Sequence, residues 1–339
     1  SYAGLAETTA SAPVVNGMGI SRLADGRLVE HRSADAHHRA GMSCIDCHTG
    51  NGLMGAMPAA DRQDQAVDIA CIDCHDNPRP RVTPANWPGQ YKSMLTRIPF
   101  PAPGAQPFLT TAHGTPLWHI EVRNDKLVLH RKLDGRELTI PQYSSSEHTL
   151  ETEHARLDCN ACHAQWAPQC YECHLGYSPD KPQWDHIEGK ATAGRWSQRL
   201  GGVRNSLPPL GVTATGAITP FVPGMIMIID HPDVEVPHFQ RLFGSLSPHT
   251  TGPARSCASC HASPVALGLG EGRLEQRSGE WQFLPTHPLL DDGLPADAWT
   301  TLEAQDPGSG SYPGDRSFTT EELLRILDSR QQSPQAVEN

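Results

Sequence analysis

The sequence predicts a mostly irregular chain with short helices, a few small antiparallel β hairpins and a meander, organised around attached cofactors rather than a side-chain core. Three observations lead there. Apolar residues make up only 37% of the 339 positions and aromatics 6%, too few for a conventional core of that size. Glycine and proline number 30 each, enough to interrupt long elements. All ten cysteines fall in five copies of Cys-x-x-Cys-His, at 44–48, 71–75, 159–163, 170–174 and 257–261.

That pattern is the attachment signature of c-type haem. Two thiols form thioethers with the porphyrin vinyl groups, and the adjacent imidazole reaches the iron. A separation of three residues sets both sulfurs on one face of a helical turn. Other uses of the cysteines fit less well. Disulfide frameworks do not place a histidine after every second cysteine. Zinc takes four ligands from two knuckles, and five knuckles do not pair off. A thioredoxin-like dithiol occurs once per domain. The expected cofactors are therefore five covalently attached haem c groups. Thioethers come from Cys44, Cys47, Cys71, Cys74, Cys159, Cys162, Cys170, Cys173, Cys257 and Cys260, and His48, His75, His163, His174 and His261 are the proximal iron ligands. Flat apolar macrocycles would supply the missing interior, hence a haem-dominated fold.

Local elements follow from residue patterns. A hairpin joins 19–23 to 27–31 across Asp25-Gly26. Segments 117–122, 126–131 and 136–140 alternate apolar and polar residues, with turns at Asn124-Asp125 and Asp134-Gly135, so a three-stranded meander occupies about 115–141. Residues 221–229 contain a buried strand, and 273–276 pairs with 280–284 across Ser278-Gly279. Helical spacing leads into two motifs, at 60–71 and 147–159. The best helix is 319–329, where Thr319 and Glu322 form a capping box. One pentahaem domain then spans 1–302, followed by a linker at 303–316, the short helix, and a tail ending at residue 339. The motifs at 159 and 170 are separated so little that their haems should be near neighbours.

Eighteen histidines are present, and those outside the motifs are more than enough for a second axial ligand on every iron. His154 and His249 stand shortly upstream of a motif and are the foremost distal candidates. His148, His38 and His37 follow, and His113 and His231 lie in the long intervals. His119 and His130 belong to the meander and read as strand-face residues.

The formal charge is −11, and haem propionates would add to it. Only five of the 27 basic residues are lysine, and the arginine fork suits propionates. An acidic exterior argues against nucleic acid as a partner. The longest apolar run, 221–229, contains Pro223 and Gly224, so no membrane span is expected. Ser1 opens a polar segment that reads as a mature terminus after signal-peptide removal, and covalent haem attachment implies a periplasmic or extracellular location.

With these motifs the chain resembles the multihaem c-type cytochromes of bacterial respiratory and extracellular electron transfer. Segments 38–48 (HRAGMSCIDCH), 154–174 (HARLDCNACHAQWAPQCYECH) and 249–270 (HTTGPARSCASCHASPVALGLG) carry the likeness. The resemblance implies mostly bis-histidine, low-spin irons and closely spaced haems that pass electrons. It makes His154 and His249 distal ligands and other cytochromes, or an inner-membrane quinol-linked donor, the redox partners. An electron conduit without catalytic residues is the leading reading. Two others stand beside it. One is a subunit of a cytochrome filament, with further copies of the chain as partners and haem ligation between subunits. The other is a reductase of tetrathionate, nitrite or hydroxylamine with one open haem. The chain lacks the Cys-x-x-Cys-Lys variant of some nitrite reductases, which argues against an ammonifying enzyme.

Overall fold

The structure is a computed structural model that describes residues 1–8, 19–54, 60, 64–76, 82–87, 89, 108–143, 154–170, 172–200, 203–222, 226–304, 309–310 and 312–332. The described residues are 37% strand and 16% helix, and they include a six-strand mixed sheet. That overturns the expected mostly irregular, haem-dominated fold. The chain divides into two compact units: Ser1–Asp35 with Arg156–Asn339, and the inserted Ala36–Ala155.

The larger unit begins with β1 (Leu5–Glu7), β2 (Ile20–Arg22) and β3 (Leu28–His31), ordered β1-β3-β2. The last two are the hairpin expected from Asp25-Gly26, and Gly26 takes a left-handed φ of 90° in the turn.

The inserted unit holds α1 (Ala36–Arg39), α2 (Cys44–Cys47), α3 (Gly50–Met54), α4 (Cys71–His75), β4 (Ile120–Arg123), β5 (Lys126–His130) and β6 (Glu137–Ile140). The strands form the expected meander, in register Val122↔Leu127 and Leu127↔Ile140. Asn124 and Asp125 both have positive φ, 51° and 59°, the geometry whose twist matches an antiparallel pair. Leu109, Leu117, Ile120, Leu127, Leu129 and Ile140 make one buried cluster, and Met42, Ile69 and Cys74 pack against it. The meander is thus the wall on which the first two motifs rest.

In the larger unit, β7 (Ala167–Cys170) pairs with β10 (Val203–Ser206). The main sheet contains β8 (Glu172–Asp185), β9 (Lys190–Leu200), β11 (Leu210–Val212), β12 (Ile218–Val222), β13 (Ile226–Asp230) and β14 (His238–Ser245), ordered β11-β12-β14-β13-β8-β9. The β13–β8 pairing is parallel and the others along this path are antiparallel. Helix α5 (Cys159–His163) precedes this sheet; α6 (Ala258–His261), the hairpin β15 (Gly272–Arg277) and β16 (Glu280–Pro285), the short β17 (Ser309–Gly310) and α7 (Thr320–Gln332) follow it. Within the expected linker, β17 pairs with β14, and Arg316 bridges to Val212.

Side chains of the chain itself fill this unit, which is the physical reason the fold expectation failed. Trp299 stacks on Phe221 at 5.0 Å and meets Phe243 edge-on at 4.4 Å, all three buried. Gly268 has φ +83°, and a Cβ there would strike the Trp299 indole. Arg241 is buried beside them, paired with Asp292 at 2.6 Å and donating to the carbonyls of Pro295 and Ala298. A second cluster joins Leu210, Val212, Leu267 and Leu269 to Phe318, Leu323 and Leu327, with Cys260 packed against it.

The helical lead-ins also need correction. Among the described residues a 3-10 turn, Asp64–Ala66, precedes α4, and residues 154–158 run as a turn into α5; residues 61–63 of the first lead-in and 147–153 of the second lie outside the described residues. Both helices begin at the first cysteine. The C-terminal helix does form, and its capping box closes as expected: Thr319 N–H donates to Glu322 Oε2 at 2.8 Å, and Glu322 N–H to Thr319 Oγ1 at 3.2 Å. Among the described residues, no helix is long and apolar enough to cross a membrane.

Candidate cofactor sites

Four of the five motifs sit on short helical turns: α2, α4, α5 and α6. In each, the first cysteine is exposed and the second half-buried. Local polar groups set where the turns start. The sequence Cys-Ile-Asp-Cys-His occurs twice, and each aspartate folds back on the preceding residue. Asp46 accepts from Ser43 N–H at 2.7 Å and Asp73 from Ala70 N–H at 2.8 Å, both carboxylates buried. Asp158 caps α5 through Asn160 N–H at 2.5 Å, and the Ser256 hydroxyl accepts from Ser259 N–H ahead of α6. These caps were legible only as acidic or hydroxyl residues at matching offsets.

Backbone carbonyls orient the motif histidines. Nδ1 of His75 lies 2.7 Å from Pro141 O, Nδ1 of His163 2.9 Å from Gly252 O, and Nδ1 of His261 3.0 Å from Ile326 O. A carbonyl only accepts, so each Nδ1 carries the proton and the lone pair is on Nε2, the nitrogen presented to a metal. Three different segments supply this same contact.

The thiols are of a kind to match. Burial, with Cys47 and Asp73 nearby, pushes the Cys74 thiol up to about 12 against the opposing pull of Lys132. Burial also raises Cys162 and Cys260, which lie within electrostatic reach of each other and of Arg255. The second thiols thus lie in pairs, Cys47 near Cys74 and Cys162 near Cys260, with Cys74 and Cys260 packed on apolar clusters. The motifs therefore pair, 44–48 with 71–75 and 159–163 with 257–261. Loop 249–255 joins the second pair: Gly252 N–H donates to His163 O, and Arg255 N–H to Cys162 O at 2.8 Å. The Arg255 Nε is buried with no protein acceptor, as a cation beside an anionic cofactor group would be. At 71–75, 159–163 and 257–261 the turn, the thiols and the oriented imidazole fit a covalently attached haem, and at 44–48 the turn and its thiols do.

The fifth motif does not fit in this way. Cys170 ends β7 and Cys173 lies in β8, which is paired on both sides, to β9 and to β13. His174 Nε2 donates to Asp230 Oδ2 at 2.5 Å while Arg199 donates to its Nδ1 at 3.3 Å, so its tautomer is the opposite one.

Among the distal candidates, His37 and His75 come together, with ring centroids 6.1 Å apart. His38, His113 and His249 are exposed, and His154 is half-buried. His231 stacks on Tyr177 at 4.7 Å beside Trp196. His148 lies outside the described residues. His130 pairs with Glu121 at 3.0 Å, as a strand-face residue does. His119, read from sequence as another, is buried instead: its Nε2 donates to Asp46 O at 3.1 Å, and burial holds its pKa well below the usual histidine range. It braces α2 from beneath. Lys132 adds to that brace, its N–H on Asp46 and its Nζ on Ile45 O, both at 2.7 Å.

Glu271, His287 and Asp297 bring ligand atoms within 4.8 Å of one another. The Arg204 guanidinium stands among them, 2.7 Å from Glu271 and 3.6 Å from Asp297, so the cluster is a closed ion-pair network. No family model, curated protein or solved structure matches this chain.

Proposed function

We propose that the chain is a multihaem c-type cytochrome, an electron carrier working outside the cytoplasm, with other redox proteins as partners. One observation carries this reading: every cysteine belongs to a Cys-x-x-Cys-His motif, and three motif histidines hold Nδ1–H on a backbone carbonyl. Haem, when bound, supplies one-electron chemistry through its iron. The residues around it position and insulate. Asp46, Asp73, Asp158 and Ser256 start the turns that carry the thiols, and Pro141, Gly252 and Ile326 aim the imidazoles. Geometry supports attachment at four motifs; the pattern alone supports it at 170–174.

The test is intact-mass measurement of protein exported by a host able to attach haem, with spectra of both oxidation states. Four or five haem increments, and low-spin bands that sharpen on reduction, are expected. Unmodified polypeptide, or stoichiometric zinc, would end the proposal.

A further inference from the structure

In the inserted unit a non-motif histidine, His37, comes up to the motif histidine His75. The His37 and His75 rings stand 6.1 Å apart, centroid to centroid, with their planes 56° apart. A metal between two imidazoles lies about 2 Å from each nitrogen, with each ring centre about an ångström further back, so such rings stand about 6 Å apart. An edge contact between rings falls in the same range. The surroundings decide between the two. His75 is already aimed by Pro141 O at its Nδ1, and its own carbonyl accepts from Tyr143 N–H at 2.9 Å. His37 lies on α1, whose last turn is tied to the same strand: Arg136 Nη2 donates to Ala40 O at 3.1 Å. Gly41, at φ +90°, lets that guanidinium approach where a Cβ would clash. Arg136 immediately precedes β6 and Pro141 immediately follows it, so the two ends of one strand tie down the backbone just after α1 and the His75 imidazole. Met42, Ile69, Cys74 and Leu138 gather on the apolar cluster beside them, a wall suited to a flat apolar ring. His38, the neighbouring candidate, is exposed.

We propose that His37 is the sixth ligand of the iron whose fifth ligand is His75, closing the 71–75 haem as a bis-histidine centre. The proposal rests on haem attachment at that motif and adds a ligand assignment to it. It also makes that site closed to small oxidants, so an open catalytic haem would have to lie elsewhere.

The experiment uses the full-length haem-loaded protein, its covalent haem content first verified by mass. In His37→Ala, one ferric haem turns high-spin by electron paramagnetic resonance, and added imidazole returns it to low-spin. His38→Ala leaves every signal as in the parent. His37→Met keeps that haem low-spin and raises one reduction potential, because thioether donates less than imidazole. An unchanged low-spin count in His37→Ala, or equal conversion in His38→Ala, overturns the assignment. Should His37→Ala fail to accumulate, the His37→Met protein decides: a potential titration identical to the parent's rejects the proposal. Parent protein without covalent haem would instead refute the underlying reading.

Discussion

Helix α5 and the β7–β8 segment carry the same five-residue pattern, the second beginning eleven residues after the first, yet they fold differently. In α5, Asp158 stands before the first cysteine and its carboxylate takes the orphan N–H groups of Asn160 and Ala161. Before Cys170 stands Gln169, whose amide is spent on Ser206 across the β7–β10 pair, at 3.2 Å to the carbonyl and 3.1 Å to the hydroxyl. The histidines diverge accordingly. His163 presents Nε2 with its lone pair, and His174 gives its Nε2–H to Asp230 on the neighbouring strand. A motif of this length does not choose its own backbone; the residue before it and the strands beside it do.

The largest expected contrast comes from removing thiols. If the proposed haem attachment holds, Cys159→Ala with Cys162→Ala is expected to remove one haem and loosen the α5–α6 region, lowering the melting temperature strongly. Cys170→Ala with Cys173→Ala leaves the sheet, measured by circular dichroism, melting near the parent value. Equal melting losses in the two proteins would erase the distinction. Next in size, Leu327→Ala opens a cavity under α7, the helix whose Ile326 carbonyl aims His261, and costs about 2–5 kcal/mol in denaturant unfolding. Hydrogen exchange should quicken around 257–263 and stay slow in β8.

A smaller effect attends the cap. Asp158→Ala should cost about 0.5–2 kcal/mol and reduce haem occupancy at 159–163, read by peptide mass, with 170–174 occupancy unaltered. The least is a pH effect. Burial alone would raise Glu322, but Arg316, the Thr319 N–H and Arg156 together hold it down to about 2, from an ordinary value near 4.5. Its depressed pKa gives α7 docking a contribution that is complete above the ordinary value and is lost as pH falls through about 2. Acid titration followed at α7 should show this component, and Glu322→Gln should remove it.

Some of the fold was readable because it is written in neighbours. The meander, both outer hairpins and the α7 capping box depend on turn dipeptides and alternation within a few residues. The main sheet was readable only in the strand expected within 221–229, which β12 and β13 overlap; the rest was not, for identifiable reasons. β8 contains Pro179 and Pro182, which argue against a strand, and the structure accommodates them with a register shift between Ser178 and Pro182 in the β8–β9 pair. His238–Ser245 shows no strict alternation, because Arg241 points inward and is satisfied there by Asp292 and carbonyls. In the candidate sites the cysteines and motif histidines were plain. The carbonyls of Pro141, Gly252 and Ile326 were not, since any residue can supply a carbonyl.

By itself the sequence determined the chemistry on offer: ten thiols in pairs, each pair followed by an imidazole, because covalent spacing sets what two sulfurs and a ring can reach together. Only the tertiary structure decided which motifs stand as a helical turn, which nitrogen of each imidazole keeps its proton, and which second histidine meets His75. Those depend on hydrogen bonds and packing between segments far apart in the chain, where the contribution of one partner is decided by the position of the other.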